Sequence, residues 1–326
     1  MLKELIAKFF IVATVLKIID QIKAAPSFVY DKYFKGNEKA VLGDSVHIPI
    51  KKGAGIVLES VSPNAEHLIH EESDKFIITV KLPRFPLEST ITANELNTIK
   101  SLESQTEQVE TLAQKVGDLL KEHKDSYITT IEHMCVGALF GKVTDGKGNI
   151  LFEFSSSAAP TEFKGKTIVN VLNEIDKDLE NELGTVPAYD VLASRTFIGR
   201  LADKALSEKL FDQGQATWLN ENNRRVFVVY GKKFIPYSAT YKNAKGQTKE
   251  FIVESEAIVT PDSPDVYQFF YGRADHTEAV GKKPTLFFAA TPEELPKGRG
   301  YSIVSETKPI PACVRPGTLR KLKFSE

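Results

Sequence analysis

Ser45 stands in the run Gly43-Asp44-Ser45, the order in which a GDS-type esterase presents its nucleophilic serine. A serine hydroxyl attacks only when a His takes its proton and a carboxylate orients that His. The esterase pattern places an Asp, then two other residues, then a His near the C-terminus. His276 instead has Asp275 directly before it and Arg273 where the Asp should stand. A strand pattern rather than a helix follows Ser45, so the run reads as a turn. Glu66-His67-Leu68-Ile69-His70-Glu71-Glu72 carries metal-ligand residue types, but in the wrong order for a zincin. Its strand-and-loop surroundings also lack helical spacing, which leaves a solvated charged loop. His123 and His133 fall on predicted helices as packing or capping residues. No phosphate cradle is present: Gly53-Ala54-Gly55 has Leu58 where a third glycine belongs, and Gly141-Lys142 opens a hairpin rather than a helix. The acids of Glu174–Glu182, interleaved with Lys177, form a solvated face. Arg315, Arg320, Lys321 and Lys323 alternate with Leu319, Leu322 and Phe324, which reads as an edge strand guarded by charge. Cys135 and Cys313 are the two cysteines, too few for a disulfide framework and without zinc spacing. These readings assign no catalytic residue, no cofactor and no metal.

The elements that would position any site come from the rest of the pattern. The chain has 326 residues, enough for two domains of roughly 150 residues. Hydrophobic residues make up 42% and charged residues 26%, a globular composition. Lys+Arg 42 against Asp+Glu 43 leaves a net charge of -1, which gives little basis for a global grip on nucleic acid. Met1 to Lys23 is apolar enough to suggest a secretory signal, with Ala24-Ala25-Pro26 as the cleavage site. Lys8, Lys17 and Asp20 interrupt it, however, and those charges also forbid a membrane span. Leu2, Leu5, Phe9, Val12, Leu16 and Ile19 repeat at three- and four-residue steps, the seam of a helix made to dock on another surface.

Val46, Ile48 and Ile50 alternate with His47 and Pro49, and Phe76, Ile78, Val80 and Leu82 alternate with Ile77, Thr79 and Lys81. That period of two predicts strands, and Pro49, Pro83 and Pro86 confine them to edges or to an extended two-stranded excursion. Thr92 and Glu95 have capping-box spacing, and the apolar period that follows predicts a rod over Ala93–Lys124, about 50 Å long. Ser126 is expected to cap a second helix. Asp145-Gly146-Lys147-Gly148 joins the predicted strands Gly141–Val143 and Ile150–Phe154. The second half predicts a compact α/β unit. A helix over Ile168–Leu179 ends near Gly184, a buried strand follows at Ala188–Ala193, and Ser194 caps a helix carrying Phe197 and Leu201. Strands then follow at Arg225–Tyr230, Lys249–Val253, Val266–Tyr271 and Pro284–Ala290, with a last one in the tail at Arg315–Phe324.

An apolar arm, a strand pair, a long helix and an α/β body make the anatomy of an assembly protein, because limbs leaving a core bury area only against another subunit. Asp125–Phe154, Phe287–Phe324 and, more weakly, Val186–Asp212 resemble the lambda-type major capsid protein E family of tailed bacteriophages. The resemblance implies an α+β, Hong Kong 97-like fold with N-arm, E-loop, spine helix, P-domain and A-domain. Its divisions would be 1–40 for the arm, 41–88 for the E-loop, 89–164 for the spine helix and first P-domain part, 165–291 for the A-domain, and 292–326 for the second P-domain part. The implied function is structural: hexamers and pentamers closing into an icosahedral head shell that encloses DNA without specific binding. Portal, scaffold and decoration proteins would be its partners. Assembly would take place in the host cytoplasm, the virion would be its final location, and no membrane would be involved. The residues expected to meet neighbouring subunits are Leu5, Phe9, Val12, Leu16 and Ile19 of the arm and Phe76, Ile78, Val80 and Leu82 of the loop. Lys51 and Lys52 lie in the loop, but no motif names an Asn partner for a crosslink. Two other readings stand beside this one: an encapsulin-like or domesticated-prophage shell, and a monomeric α/β enzyme or binding protein such as the esterase above.

Overall fold

The computed structural model describes residues 27–51, 53, 76–102, 104–154, 160–221, 224–243 and 245–324. The arm seam from Leu2 to Ile19 and the Glu66–Glu72 run lie outside the described residues. Four strands, β1 (Glu38–Val41), β2 (Ser45–Ile50), β3 (Phe76–Lys81) and β4 (Phe85–Thr92), precede the helices α1 (Ala93–Lys100) and α2 (Gln105–Leu139). The hairpin β5 (Lys142–Thr144) and β6 (Ile150–Glu153) and the short β7 (Thr161–Glu162) lead to α3 (Ile168–Leu183), β8 (Tyr189–Ala193) and α4 (Arg195–Ser207). Next come β9 (Ala216–Glu221), β10 (Arg224–Val229), β11 (Lys232–Pro236), β12 (Thr240–Lys242), β13 (Thr248–Glu250), β14 (Glu256–Pro261) and β15 (Tyr267–Gly272). The chain closes with β16 (Phe288–Ala289), β17 (Glu293–Glu294), β18 (Gly300–Thr307), β19 (Pro309–Cys313) and β20 (Arg320–Lys323).

Contacts divide the chain into two compact units. The first comprises residues up to Val46, Val80–Glu132 and Phe269–Ile310. Its framework is the antiparallel ladder of β4 on β18, which runs from Phe85↔Thr307 to Thr92↔Gly300, with β16 and β17 also pairing to β18. Gly300 has φ +143°, and a Cβ there would land on the carbonyl oxygen of Ile91, so the two backbones meet only because this residue is glycine. The helices cover the ladder. Leu96, Ile99, Leu112, Val116 and Leu120, spaced for one helical face, share a core with Ile91, Ala289 and Ile303. β1 adds in parallel to β15, Glu38 opposite Phe269 and Val41 opposite Gly272.

The second unit comprises His47–Thr79, His133–Gln268 and Pro311 onward. Its seven-stranded sheet has the order β7-β20-β14-β8-β11-β10-β9. β8 is central and buried on both faces, parallel to β11 and antiparallel to β14, which explains its unbroken Val191-Leu192-Ala193 run. From α3, Ile168, Val171, Leu172, Ile175 and Leu179 pack into its core, joined by Phe197, Ile198 and Leu201 of α4. Thr167 and Ser194 cap these helices through their hydroxyls, and Gly184 ends α3 in the left-handed conformation, φ +76°. At the β5–β6 turn, Asp145 accepts from the amides of Lys147 and Asn149 at 2.9 and 2.8 Å.

Several expectations need correction. The rod predicted over Ala93–Lys124 stops at Lys100, and helix resumes at Gln105. The Gln108 amide donates back to the carbonyls of Leu102 (2.8 Å) and Lys100 (3.3 Å), so one side chain satisfies the exposed end of α1. Ser126 caps nothing. It lies inside α2, its hydroxyl donating to the Glu122 carbonyl one turn earlier, and the helix runs on to Leu139 for 35 residues. The tail strand β20 is not an edge, for it pairs with β14 on one side and β7 on the other. Leu322 is therefore fully buried, and Arg320 donates to Asp178 of α3 at 2.8 Å. The strands expected at Pro284–Ala290 and Lys249–Val253 shrink to β16 and β13.

Candidate assembly surface

β2 and β3 form a two-stranded sheet of their own. Val46, Ile48 and Ile50 are buried as the alternation predicts, and on the polar face His47 hydrogen-bonds Thr79 at 2.9 Å. The apolar positions of β3 divide. Val80 and Leu82 are buried within the chain, Ile78 is half-buried, and Phe76 is 64% exposed. Ile77, on the opposite face, is 58% exposed. Ile77 escaped the period-two reading, although three consecutive apolar residues in a half-solvated strand signal that neither face is built for water. Leu5, Phe9, Val12, Leu16 and Ile19 lie outside the described residues.

The end of β3 is firmly seated. Leu82 donates its amide to the Asp44 carbonyl at 2.8 Å, and its side chain fills the space beside Gly272. Next to it, the buried Lys308 ammonium contacts Asp275 at 2.5 Å and Asp44 at 3.6 Å. Arg84 donates to the buried Glu306 carboxylate at 2.6 Å, and Glu306 also accepts from the Asp275 amide at 2.7 Å. A buried charge persists only where such partners replace water. Asp44 therefore serves this polar cluster, and Ser45 opens β2 as the turn reading expects. His276 caps a short 3-10 turn by accepting from the Glu278 amide. Lys51 pairs with Asp265 at 3.3 Å, and Lys52 lies outside the described residues.

The other chemistry-bearing residues serve structure. His123 is buried, hydrogen-bonded to Ser89 at 2.8 Å and Ser305 at 2.7 Å, and burial holds its pKa below the ordinary value. Tyr127 shares Ser305, and burial pushes its phenol up to about 12. Burial likewise lowers His133, which hydrogen-bonds Thr144 and packs its ring on Tyr241. Cys135 and Cys313 are both buried and form no disulfide with one another, and burial raises the Cys313 thiol to about 12. Glu132 is a residue that the sequence reading passed over. It is buried on α2 and accepts from three successive amides, Phe28, Val29 and Tyr30, at 3.0, 2.8 and 2.9 Å. Among the described residues no group of three or more His, Cys, Asp or Glu is placed to hold a metal ion. No helix among them is long and apolar enough to cross a membrane.

The fold and sequence were compared with known proteins. No curated protein sequence gives a significant match. A protein from a prophage of Escherichia coli CFT073, described as its capsid protein, superposes with TM-score 0.63 at 13% identity, covering 96% of this chain and 99% of that one. A phage-related protein from Bordetella bronchiseptica RB50 follows with TM-score 0.51 at 8% identity, covering 95% and 96%. At these identities the likeness is one of fold, and the fold is the Hong Kong 97-like capsid fold. The profile of the phage major capsid protein E family matches residues 12–324. With nearly its whole length accounted for, the chain belongs to the phage major capsid protein E family.

Proposed function

We infer that this protein builds an icosahedral phage head by self-association into hexamers and pentamers, with the β2–β3 loop lying across a neighbouring copy. The observation that carries the reading is the exposed Phe76-Ile77 pair at the start of a strand whose other end is seated in its own chain. Burying one large apolar side chain contributes about 1.5–3 kcal/mol, and many weak contacts engaged together hold a closed shell. In this reading Phe76, Ile77 and Ile78 meet the neighbour, while Val80 and Leu82 anchor the strand. The arm residues Leu5, Phe9, Val12, Leu16 and Ile19 supply a second contact. The first unit, with the β4–β18 ladder and α2, acts as the peripheral domain. The seven-stranded unit, closed by β20 from the tail, acts as the axial domain. A net charge of -1 suits a wall that surrounds DNA without adhering to it. Portal, scaffold and decoration proteins complete the particle, which assembles in the host cytoplasm, and the protein itself carries no catalytic step.

Expression of the full chain with its neighbouring structural genes, followed by size-exclusion chromatography and electron microscopy, tests this. Rings or closed shells are expected, and a protein that stays monomeric under those conditions overturns the reading. An encapsulin-like role predicts shells that load a protein cargo in the absence of a portal.

A further inference from the structure

The first unit holds a cleft of about 320 Å³ between the β1–β2 turn and the loop that follows β15. Its volume lies at the small end of the range for ligand cavities, about 300–1,000 Å³, which gives room for side chains rather than a cofactor. Leu42 lines it from the turn and Val280 from the loop. They are 70% and 71% exposed, the highest values of any large apolar residue among the described residues. One exposed apolar side chain is ordinary, but two brought to one cleft from distant parts of the chain make an unfilled apolar seat. The charges around it are uneven. Its two acids, Asp44 and Asp275, share the buried Lys308 ammonium, at 3.6 and 2.5 Å. Glu278, further along the loop, accepts from the Thr291 amide and hydroxyl at 3.1 and 3.2 Å. Arg273, which lines the cleft, makes no ion pair among the described residues, and neither do the exposed Lys282 and Lys283 just past Val280. The Lys282 amide donates to the Ala279 carbonyl at 3.1 Å, a turn that keeps this basic pair close to the cleft. The seat is apolar with cations to spare.

The same chain carries the complementary pattern. Glu66, Glu71, Glu72 and Asp74 precede Phe76-Ile77, and Lys75 is the only Lys or Arg between Glu66 and Phe76. Phe76 and Ile77 are 64% and 58% exposed, so this pair does not fill the cleft of its own subunit. Building on the reading that the β2–β3 loop crosses to a neighbour, we propose that this cleft is the seat for the Phe76-Ile77 pair of a second copy. Leu42 and Val280 meet the incoming side chains, and Arg273, Lys282 and Lys283 face the acidic stretch that precedes them. The apolar contact supplies burial, while the opposed charges select the partner and fix its register. A plug on one subunit and a seat on the next make a heterologous contact, the kind that propagates around a ring.

The test uses the full chain expressed with its neighbouring structural genes. Phe76 is replaced by the photoreactive p-benzoylphenylalanine, assembled shells are irradiated, and crosslinked peptides are identified by mass spectrometry. Crosslinks between copies are expected at Leu42 or within Arg273–Val280. Crosslinks that map elsewhere on the neighbour overturn the seat and leave the crossing loop standing. Wild-type protein that forms no rings or shells overturns both. Leu42→Ser combined with Val280→Ser gives a second measurement, since both side chains are exposed and the unfolding midpoint of the subunit should not move. Shell yield at equal protein concentration should nevertheless fall at least about tenfold, because a small loss per contact is multiplied over the shell. Arg273→Glu should also lower the yield, with partial recovery in high salt, which screens the new repulsion. Wild-type yield in either variant overturns the proposal.

Discussion

Glu132 and His123 are both buried polar groups of the first unit, and they respond to different perturbations. The Glu132 carboxylate satisfies three amides at the start of the helical segment Tyr30–Phe34, whose N-cap residue, Val29, makes no side-chain cap. Removing the acceptor leaves those donors unsatisfied, so Glu132→Ala should destabilise the fold by about 2–4 kcal/mol in urea unfolding, and Glu132→Gln by less. His123 couples to pH. Its folded pKa is held below the unfolded value by burial, so as pH falls the unfolded chain takes up a proton first. Stability is then full above about pH 6.5 and declines below it. His133 is lowered by burial as well and contributes in the same direction. A series of unfolding curves between pH 7.5 and 5 should show the decline, and His123→Asn should reduce its slope without abolishing it. Neither role was legible in sequence, because the partners of each residue come from distant positions: Glu132 from Phe28–Tyr30, and His123 from Ser89 and Ser305.

At the scale of elements, local chemistry decided most of what the pattern predicted. The Thr92–Glu95 capping box forms as its spacing dictates, with the Glu95 carboxylate accepting from the Thr92 amide at 2.9 Å. Thr92→Ala should cost about 1 kcal/mol, measurable as a fall in the unfolding midpoint. The break between α1 and α2 had a local sign that was overlooked. Ser104 and Glu107 repeat the Thr92–Glu95 spacing, and the Ser104 hydroxyl accepts from the Thr106 amide at 3.2 Å. The apolar period crosses this break undisturbed because both helices face the same ladder, so hydrophobic periodicity alone could not find it. Gly300 makes the opposite point, since its necessity comes from Ile91, some two hundred residues earlier. Gly300→Ala should force the β4–β18 ladder apart at that end and lower stability by several kcal/mol, with lost amide protection across Ser302 and Ile91 as the local readout.

For the whole molecule, the proposed assembly would draw on apolar residues that the isolated chain leaves in water. Phe76→Ser combined with Ile77→Ser should leave the unfolding midpoint of the subunit within about 0.5 kcal/mol of wild type, because both side chains are already exposed. The same variant should abolish shell growth in electron micrographs. Deletion of Met1–Ile22 should lower shell yield, and unchanged yield counts against the arm. From the sequence alone come the period-two strands, the Thr92–Glu95 capping box and the hairpin turn at Asp145, which rest on neighbours a few residues apart, and the likeness to a capsid family, which rests on longer segments. Only the folded chain settles that Val80 and Leu82 are spent inside it while Phe76 and Ile77 remain outside, and that the charged tail strand is enclosed between β7 and β14. The reason is physical: periodicity tells which side chains share a face, but what that face meets depends on chain that returns from far away.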